Sequence, residues 1–195
     1  REEDVFRAVH TAIPTAIIGG IFLSVLGAIF APGLLKLMNT PADVLPLASV
    51  YIRIYFSGIV FTIVYNFCAA ILRATGDTKT PLFFLMIAGA LKVALTVFVV
   101  AVCKMDVAGV ALATIVSQAV AATLVLTALI RRTDNCKLHL KKMRFYKEPL
   151  LNILKIGLPA GLQTSLLSIA NLTTSIGLNS FDSAAILSGN GACTN

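Results

Sequence analysis

Five apolar segments constrain the fold of this chain more than any other feature. A helix that crosses a bilayer needs about 20 mainly apolar residues. Five segments reach or exceed this length, and they are 8–31, 42–72, 82–103, 107–130 and 153–179. A further helix is predicted to begin near Ser183. We therefore expect an all-α fold, a polytopic transmembrane helix bundle.

The composition supports a membrane protein. Charged residues make up 13% of the chain and hydrophobic residues 57%, whereas a soluble domain has about 25% charged residues. The net charge of +7 would suit nucleic acid, but the cations cluster between the apolar segments instead of covering one face. We expect the lipid bilayer as a partner and no nucleic acid, and the sequence does not imply an oligomer. The chain begins with Arg1, not Met, and we expect it to be a fragment of a longer protein.

The distribution of Lys and Arg predicts the orientation in the membrane. Alternate connecting segments carry eleven of these cations, and the segments between them carry two. By the positive-inside rule, the cation-rich side is cytoplasmic. The sequence therefore predicts a multi-pass protein of the plasma (inner) membrane, with residues 73–81 and 131–152 in the cytoplasm.

A turn is predicted between the second and third apolar segments. It combines a cation for the last turn of one helix, a glycine that can close that helix, and capping and first-turn residues for the next. These residues are Arg73, Gly76, Asp77, Thr78 and Pro81.

Lys92 is a charge in the middle of the third apolar segment. At that depth a charge costs roughly 3 kcal/mol or more, so we expect Lys92 to face the bundle interior or a wet cavity and to have a partner. In one interpretation it pairs with a carboxylate or an anionic substrate. In the other, it bonds carbonyls or hydroxyls, or loses its proton on burial.

The fifth apolar segment carries a one-sided polar stripe. Its members recur at helical spacing and lie within about 80° of one another on a helical wheel. They are Thr164, Ser168, Asn171, Ser175 and Asn179. The stripe lines a central cavity in the interpretation that we favour; interhelical hydrogen bonds, worth about 0.6 kcal/mol each, are the alternative. Further cavity candidates are Tyr65, Asn66, Gln163 and Gln118.

Small residues at every fourth position predict close helix packing. Gly109, Ala113 and Ser117 form such a ridge on the fourth segment, and Gly20 and Ser24 form another on the first.

The sequence carries no pattern that indicates catalysis. HExxH and GxSxG are absent, and the four cysteines have no metal-ligand spacing. We expect no enzyme activity, no cofactor and no metal site. His10, at the start of the first segment, is expected to be solvated or to act as a cap. A coupling carboxylate is not evident within the apolar segments.

The turn and four shorter elements resemble one family of transporters. Residues 71–81 read Ile-Leu-Arg-Ala-Thr-Gly-Asp-Thr-Lys-Thr-Pro and follow Tyr65-Asn66. Supporting elements lie at 51–54, 107–114 and 156–163. In order and spacing they resemble the multidrug and toxic compound extrusion (MATE) family.

The resemblance implies part of a two-lobed transporter with six helices in each lobe. Residues 1–130 would be the C-terminal four helices of the first lobe, 131–152 a basic cytoplasmic linker, and 153–195 the start of the second lobe. An amphipathic helix within the linker is an alternative. The implied function is a secondary active antiporter that exports drugs or other amphipathic small molecules in exchange for sodium or protons, by alternating access.

Two departures from the family pattern leave other functions open. Many relatives have Asn and Asp where this chain has Lys92 and Thr96, and residues 153–179 contain no acid. The coupling ion, sodium or proton, is therefore open. A flippase or exporter of lipid-linked or anionic cargo would suit Lys92 and the basic linker. A non-transporting membrane scaffold is the alternative from a different class.

Overall fold

The fold is a set of α-helices. The computed structural model describes residues 2–37, 45–102, 104, 107–132, 138 and 144–179, and this part of the chain contains helices and no strand. The helices are α1 (Glu2–Leu37), α2 (Leu45–Ser57), α3 (Ile59–Ala74), α4 (Lys79–Ala101), α5 (Val107–Arg131) and α6 (Lys147–Asn179).

Most of these helices can cross a membrane. Among the described residues, four helices are long and apolar enough to span, and the bent pair α2–α3 brings the number to five if it forms one span. The predicted all-α polytopic bundle is therefore confirmed.

The second predicted span is not one continuous helix. The prediction of a single helix over 42–72 is wrong, because the chain bends by 43° between α2 and α3. At the bend the Gly58 N–H donates to the Tyr55 carbonyl at 3.1 Å, and the Phe61 N–H donates to the Gly58 carbonyl at 3.1 Å. Both bonds close three-residue turns, which are tighter than the turns of an α-helix.

The neighbouring helices stabilise this bend. A Cβ atom on Gly58 would lie 2.4 Å from Cγ1 of Ile115 on α5, so a larger residue at this position would require the Ile115 side chain or α5 to shift. On the other side, the Ser24 hydroxyl of α1 donates to the Phe56 carbonyl at 2.7 Å. This bond satisfies a carbonyl next to the bend, where the regular helical pattern is interrupted.

Helix α6 begins earlier than predicted. The sequence placed its start near residue 153, but the helix begins at Lys147 and Pro159 lies inside it. Glu148, which favours the positive end of the helix dipole, and Pro149 both lie in the first turn and explain the earlier start. The last residues of the predicted linker 131–152 therefore belong to α6. Residues 144–146 are not helical. Most other positions of the predicted amphipathic linker helix lie outside the described residues, so that alternative stays a prediction.

Small residues bring the helices close together, as predicted. A Cβ atom on Gly20 of α1 would lie 2.6 Å from Cγ2 of Val60 on α3. On α5, Gly109, Ala113 and Ser117 are all buried. The prediction that both ridges serve helix packing is confirmed.

The chain divides into two compact units, Arg1–Leu150 and Leu151–Asn195. In the first unit, α1 packs on α2 and α3, and α5 packs on α2, α3 and α4. Buried apolar side chains from these helices form one core, which includes Ile13, Leu72, Val125 and Leu129, and Leu138 from the segment after α5 joins it. The second unit is described along α6, which is exposed from Leu154 to Asn171.

Candidate functional site

The turn between α3 and α4 is a Schellman motif. Gly76 has a φ of 86°, a left-handed conformation that favours glycine. Its N–H donates to the Arg73 carbonyl at 3.0 Å, and the Asp77 N–H donates to the Leu72 carbonyl at 3.0 Å. These two bonds satisfy carbonyls that the end of α3 would leave without partners. The prediction that Gly76 closes this helix is confirmed.

Asp77 uses its two carboxylate oxygens for two different partners. Oδ1 accepts the backbone N–H of Thr80 at 3.1 Å, in the first turn of α4. Oδ2 accepts a hydrogen bond from Nη2 of Arg132 at 3.3 Å. Thr78 immediately precedes α4 and makes no side-chain cap bond. The sequence offered both residues as caps, and Asp77 takes the role because its carboxylate reaches the free amide.

Hydrogen bonding keeps Asp77 ionised. The bond from the Thr80 backbone N–H is the largest cause that lowers the pKa of the Asp77 carboxyl; a bond with the Thr80 side chain and the nearby Arg132 charge add to it. Asp77 lies in the connection between α3 and α4, outside the spans, and it is negatively charged at neutral pH.

Tyr65 joins α3 to the first turn of α4. Its side chain is 6% exposed, and its hydroxyl donates to the Pro81 carbonyl at 2.8 Å. Pro81 is itself buried. The sequence named Tyr65 as a cavity candidate, whereas the structure gives its hydroxyl a partner within the core. Asn66, the next residue, is exposed.

Lys92 lies on the exterior of the described bundle. It is exposed on α4 and makes no hydrogen bond or ion pair with any other residue that the structure describes. The described helices therefore do not enclose Lys92, and the expectation that it faces the bundle interior or a wet cavity and has a partner stays a prediction. Ala88, one turn earlier on α4, is buried in the apolar core, so burial on α4 ends before Lys92.

Two hydroxyls of the polar stripe bond the backbone of their own helix. Thr164 Oγ1 donates to the Ala160 carbonyl at 2.9 Å, and Ser168 Oγ donates to the Thr164 carbonyl at 2.9 Å. Their oxygens keep lone pairs that can accept further hydrogen bonds. Gln163 and Asn171 are also exposed. The side chains of Ser175 and Asn179 lie outside the described residues.

His10 is a buried polar side chain, and Gln118 is half-buried. His10 is 0% exposed, so the expectation that it is solvated is wrong; its Nδ1 lies 2.8 Å from the Phe6 carbonyl oxygen, and its ring stacks on Phe6. The Oε1 atom of Gln118 on α5 is buried without a hydrogen-bond partner in the described structure.

Arg132 and Thr75 belong to the turn, although the sequence did not single them out. The Nη1 atom of Arg132 donates to Thr75 Oγ1, beside the Asp77 bond. Arg132 is far from the turn along the chain, so no local pattern could have placed it there. Within the described residues, no group of three or more His, Cys, Asp or Glu side chains could hold a metal ion.

Comparisons with known proteins place this arrangement in one family. The MatE family model matches residues 1–98. The probable multidrug resistance protein YpnP of Bacillus subtilis (strain 168) is 38% identical over 173 residues, which cover 89% of this chain and 37% of that protein. The probable multidrug resistance protein YoeA of the same strain is 31% identical over 192 residues, which cover 94% of this chain and 41% of that protein. The chain thus spans about two fifths of the length of these relatives.

Solved structures show the same similarity. The inward-facing conformation of a multidrug resistance MATE family transporter of the MOP superfamily matches with a TM-score of 0.75 and 25% identity, over 88% of this chain and 40% of that one. The outward-facing conformation of a multidrug resistance MATE family transporter of the MOP superfamily matches with a TM-score of 0.74 and 25% identity. The match covers 85% of this chain and 37% of that one. With a family model that matches half of its residues, and with these relatives, the chain belongs to the MatE family.

Proposed function

We propose that the protein is a secondary active antiporter that exports drugs or other amphipathic small molecules by alternating access. The similarity to both an inward-facing and an outward-facing transporter carries this proposal. The TM-scores, 0.75 and 0.74, differ little, so the covered helices resemble both states equally well. Equal resemblance to both states is expected for alternating access by rigid bundles, because each bundle keeps its internal packing while access to the site changes.

The proposed cavity residues carry polar side chains on membrane-spanning helices. We assign substrate or ion contact to Lys92, Asn66 and the stripe of α6, together with Gln163. A one-sided polar stripe in a membrane must face protein or water, because lipid cannot satisfy it. Tyr65 is left out of the proposed cavity because its hydroxyl bonds Pro81.

The proposal also includes the coupling ion, sodium or a proton, and the side of the membrane on which the loops lie. The excess of Lys and Arg supports a cytoplasmic location of 73–81 and 131–152 in the plasma membrane. Sodium or a proton would drive export, and no cofactor is needed.

Dye efflux from vesicles that contain the full-length protein tests the proposal. A fluorescent cationic dye is loaded, and either a sodium gradient or a pH gradient is imposed. We expect one of the two gradients to drive dye transport in vesicles with the protein and not in vesicles without it. No transport under either gradient would contradict the antiporter function.

Lys92 favours a second candidate function, the export of anionic or lipid-linked cargo. An exposed cation halfway along a membrane helix would attract an anion and repel a cationic drug. In that case Lys92→Met should lower transport of an anionic substrate at least about tenfold, the effect of a lost interaction of about 1.4 kcal/mol. Lys104→Met, at an exposed residue after α4, is the control. Unchanged transport of both anions and cations by a normally expressed Lys92→Met variant would remove Lys92 from the mechanism.

A further inference from the structure

The segment between α5 and α6 begins with an anchor on the α3–α4 turn. We call residues 132–146 the connector, of which the structure describes 132, 138 and 144–146. The guanidinium of Arg132 donates to both Thr75 Oγ1 and Asp77 Oδ2. The Thr75 hydroxyl donates to the Leu72 carbonyl at 2.8 Å. Its oxygen lone pairs therefore remain available to accept from Arg132. The side chains of Arg132 and Asp77 are 19% and 25% exposed, so this ion pair is partly shielded from water.

The middle of the connector contributes to the apolar core. Leu138 is 1% exposed and belongs to the same buried cluster as Ile13, Leu72 and Leu129. Its backbone N–H donates to the Leu129 carbonyl at 3.3 Å. Burying a leucine side chain contributes about 1.5–3 kcal/mol, so this anchor is apolar, unlike the one at Arg132.

The end of the connector is held by the first helix. The Tyr146 N–H donates to Thr11 Oγ1 at 3.2 Å, and Thr11 is 0% exposed. The Arg7 guanidinium lies 5.7 Å from the centre of the Tyr146 ring, within the range of a cation–π interaction. Thr11 and Arg7 both lie on α1, one turn apart, and both contact the same connector residue.

We propose that the connector is held to the first unit at three of its described residues, Arg132, Leu138 and Tyr146, and that the α3–α4 turn binds the first of them. The three anchors contact three different places: the α3–α4 turn, the apolar core beside α5, and α1. The docking does not rest on the proposed function.

Trypsin cleavage of the full-length protein in inside-out vesicles tests the docking. The connector contains Lys137, Lys141, Lys142 and Arg144, and cleavage requires release of the chain from its anchors. In Asp77→Asn the amide can still cap Thr80, but the ion pair is lost. In Arg132→Lys the charge and the trypsin site remain. The lysine ammonium, however, lacks the planar guanidinium geometry that lets Arg132 donate to two acceptors at once. We expect each variant to be cleaved in the connector about threefold or more faster than the wild type.

Matched controls separate docking from general loosening. Arg131→Lys changes the adjacent arginine, which is exposed, and Thr123→Val removes a hydroxyl that bonds its own helix at Ala119. Both should be cleaved at the wild-type rate. Mass spectrometry identifies the cut bonds, and faster cleavage confined to the connector supports docking. Wild-type cleavage rates in Asp77→Asn and Arg132→Lys, or an equal increase after Lys155, would overturn the proposal.

A third variant covers the case in which Asp77→Asn does not fold. Thr75→Val removes one acceptor of Arg132 and keeps the ion pair, and it should be cleaved faster than the wild type but more slowly than Arg132→Lys. An unchanged rate would count against the Thr75 contact and the docking. Cleavage is measured without substrate or gradient, so failure to export dye would contradict the proposed function and leave this result intact.

Discussion

At the scale of single residues, the polar side chains near the α3–α4 turn each satisfy a defined backbone group. Asp77 accepts the Thr80 backbone N–H in the first turn of α4, and the Tyr65 hydroxyl donates to the Pro81 carbonyl in the same turn. The two contacts come from opposite sides, one from the turn and one from the core. Together they fix where α4 begins. Helix geometry and the Arg132 contact therefore explain the family-like sequence of this turn.

Loss of the Tyr65 hydroxyl should destabilise the start of α4. In Tyr65→Phe the ring still fills the core, but the buried hydrogen bond to Pro81 is absent, at a cost of about 0.5–1.5 kcal/mol. We expect a lower midpoint of thermal unfolding of the full-length protein in detergent. Tyr55→Phe, at an exposed ring, is the control. Equal midpoints for Tyr65→Phe and the wild type would contradict the structural role.

At the scale of helices, close approach rather than hydrogen bonding determines the arrangement of α1, α2, α3 and α5. Gly20 and Gly58 lie where a neighbouring helix leaves no room for a Cβ atom. At Gly27, a Cβ atom would lie 2.0 Å from the Phe56 ring. Such contacts are available only to the smallest residues, which is the usual basis of helix association in membranes.

Two adjacent glycines of α1 should respond in opposite directions to the same change. Gly20→Ala places a methyl group 2.6 Å from Val60 Cγ2 and 3.0 Å from its Cα, so the helices must separate at a cost of about 1–3 kcal/mol. At Gly19 a Cβ atom meets nothing within 4 Å, and Gly19→Ala should be neutral or stabilising by up to about 1 kcal/mol through helix propensity. Thermal unfolding of the full-length variants measures both. A Gly20→Ala variant as stable as Gly19→Ala would show that α1 and α3 do not approach so closely.

At the scale of the whole molecule, the exposed faces of the described helices must be covered by lipid or by other protein. Phe83, Met86 and Val93 on α4 are each at least 60% exposed, which is expected beside lipid tails or partner helices and not beside water. The described members of the polar stripe, Thr164, Ser168 and Asn171, are exposed as well, although lipid cannot satisfy polar side chains. The two kinds of face thus need different surroundings in the complete protein.

Aqueous labelling in the full-length protein should separate the two faces of α6. On a background without the native cysteines, we expect Ser168→Cys to react with a polar thiol reagent, because a cavity would bring water to the stripe. Ile169→Cys, on the neighbouring apolar face, should not react. Absence of labelling at position 168 and at Asn171→Cys would contradict the cavity and would favour helix contacts or a non-transporting scaffold.

Local patterns in the sequence were enough to predict the helices and the turn between α3 and α4. Apolar segments of spanning length dictate helices because a bilayer leaves backbone groups no other partner, and Gly76 with Asp77 forms a helix stop and start over a few residues. The bend at Gly58, the burial of His10 and the outward position of Lys92 were not predictable in this way. Each depends on which helix lies beside the residue: Ile115 at the bend, the packed start of α1 at His10, and α5 behind α4. The contact between Arg132 and Asp77 joins residues that are distant along the chain, so only the tertiary structure could bring the connector to the turn.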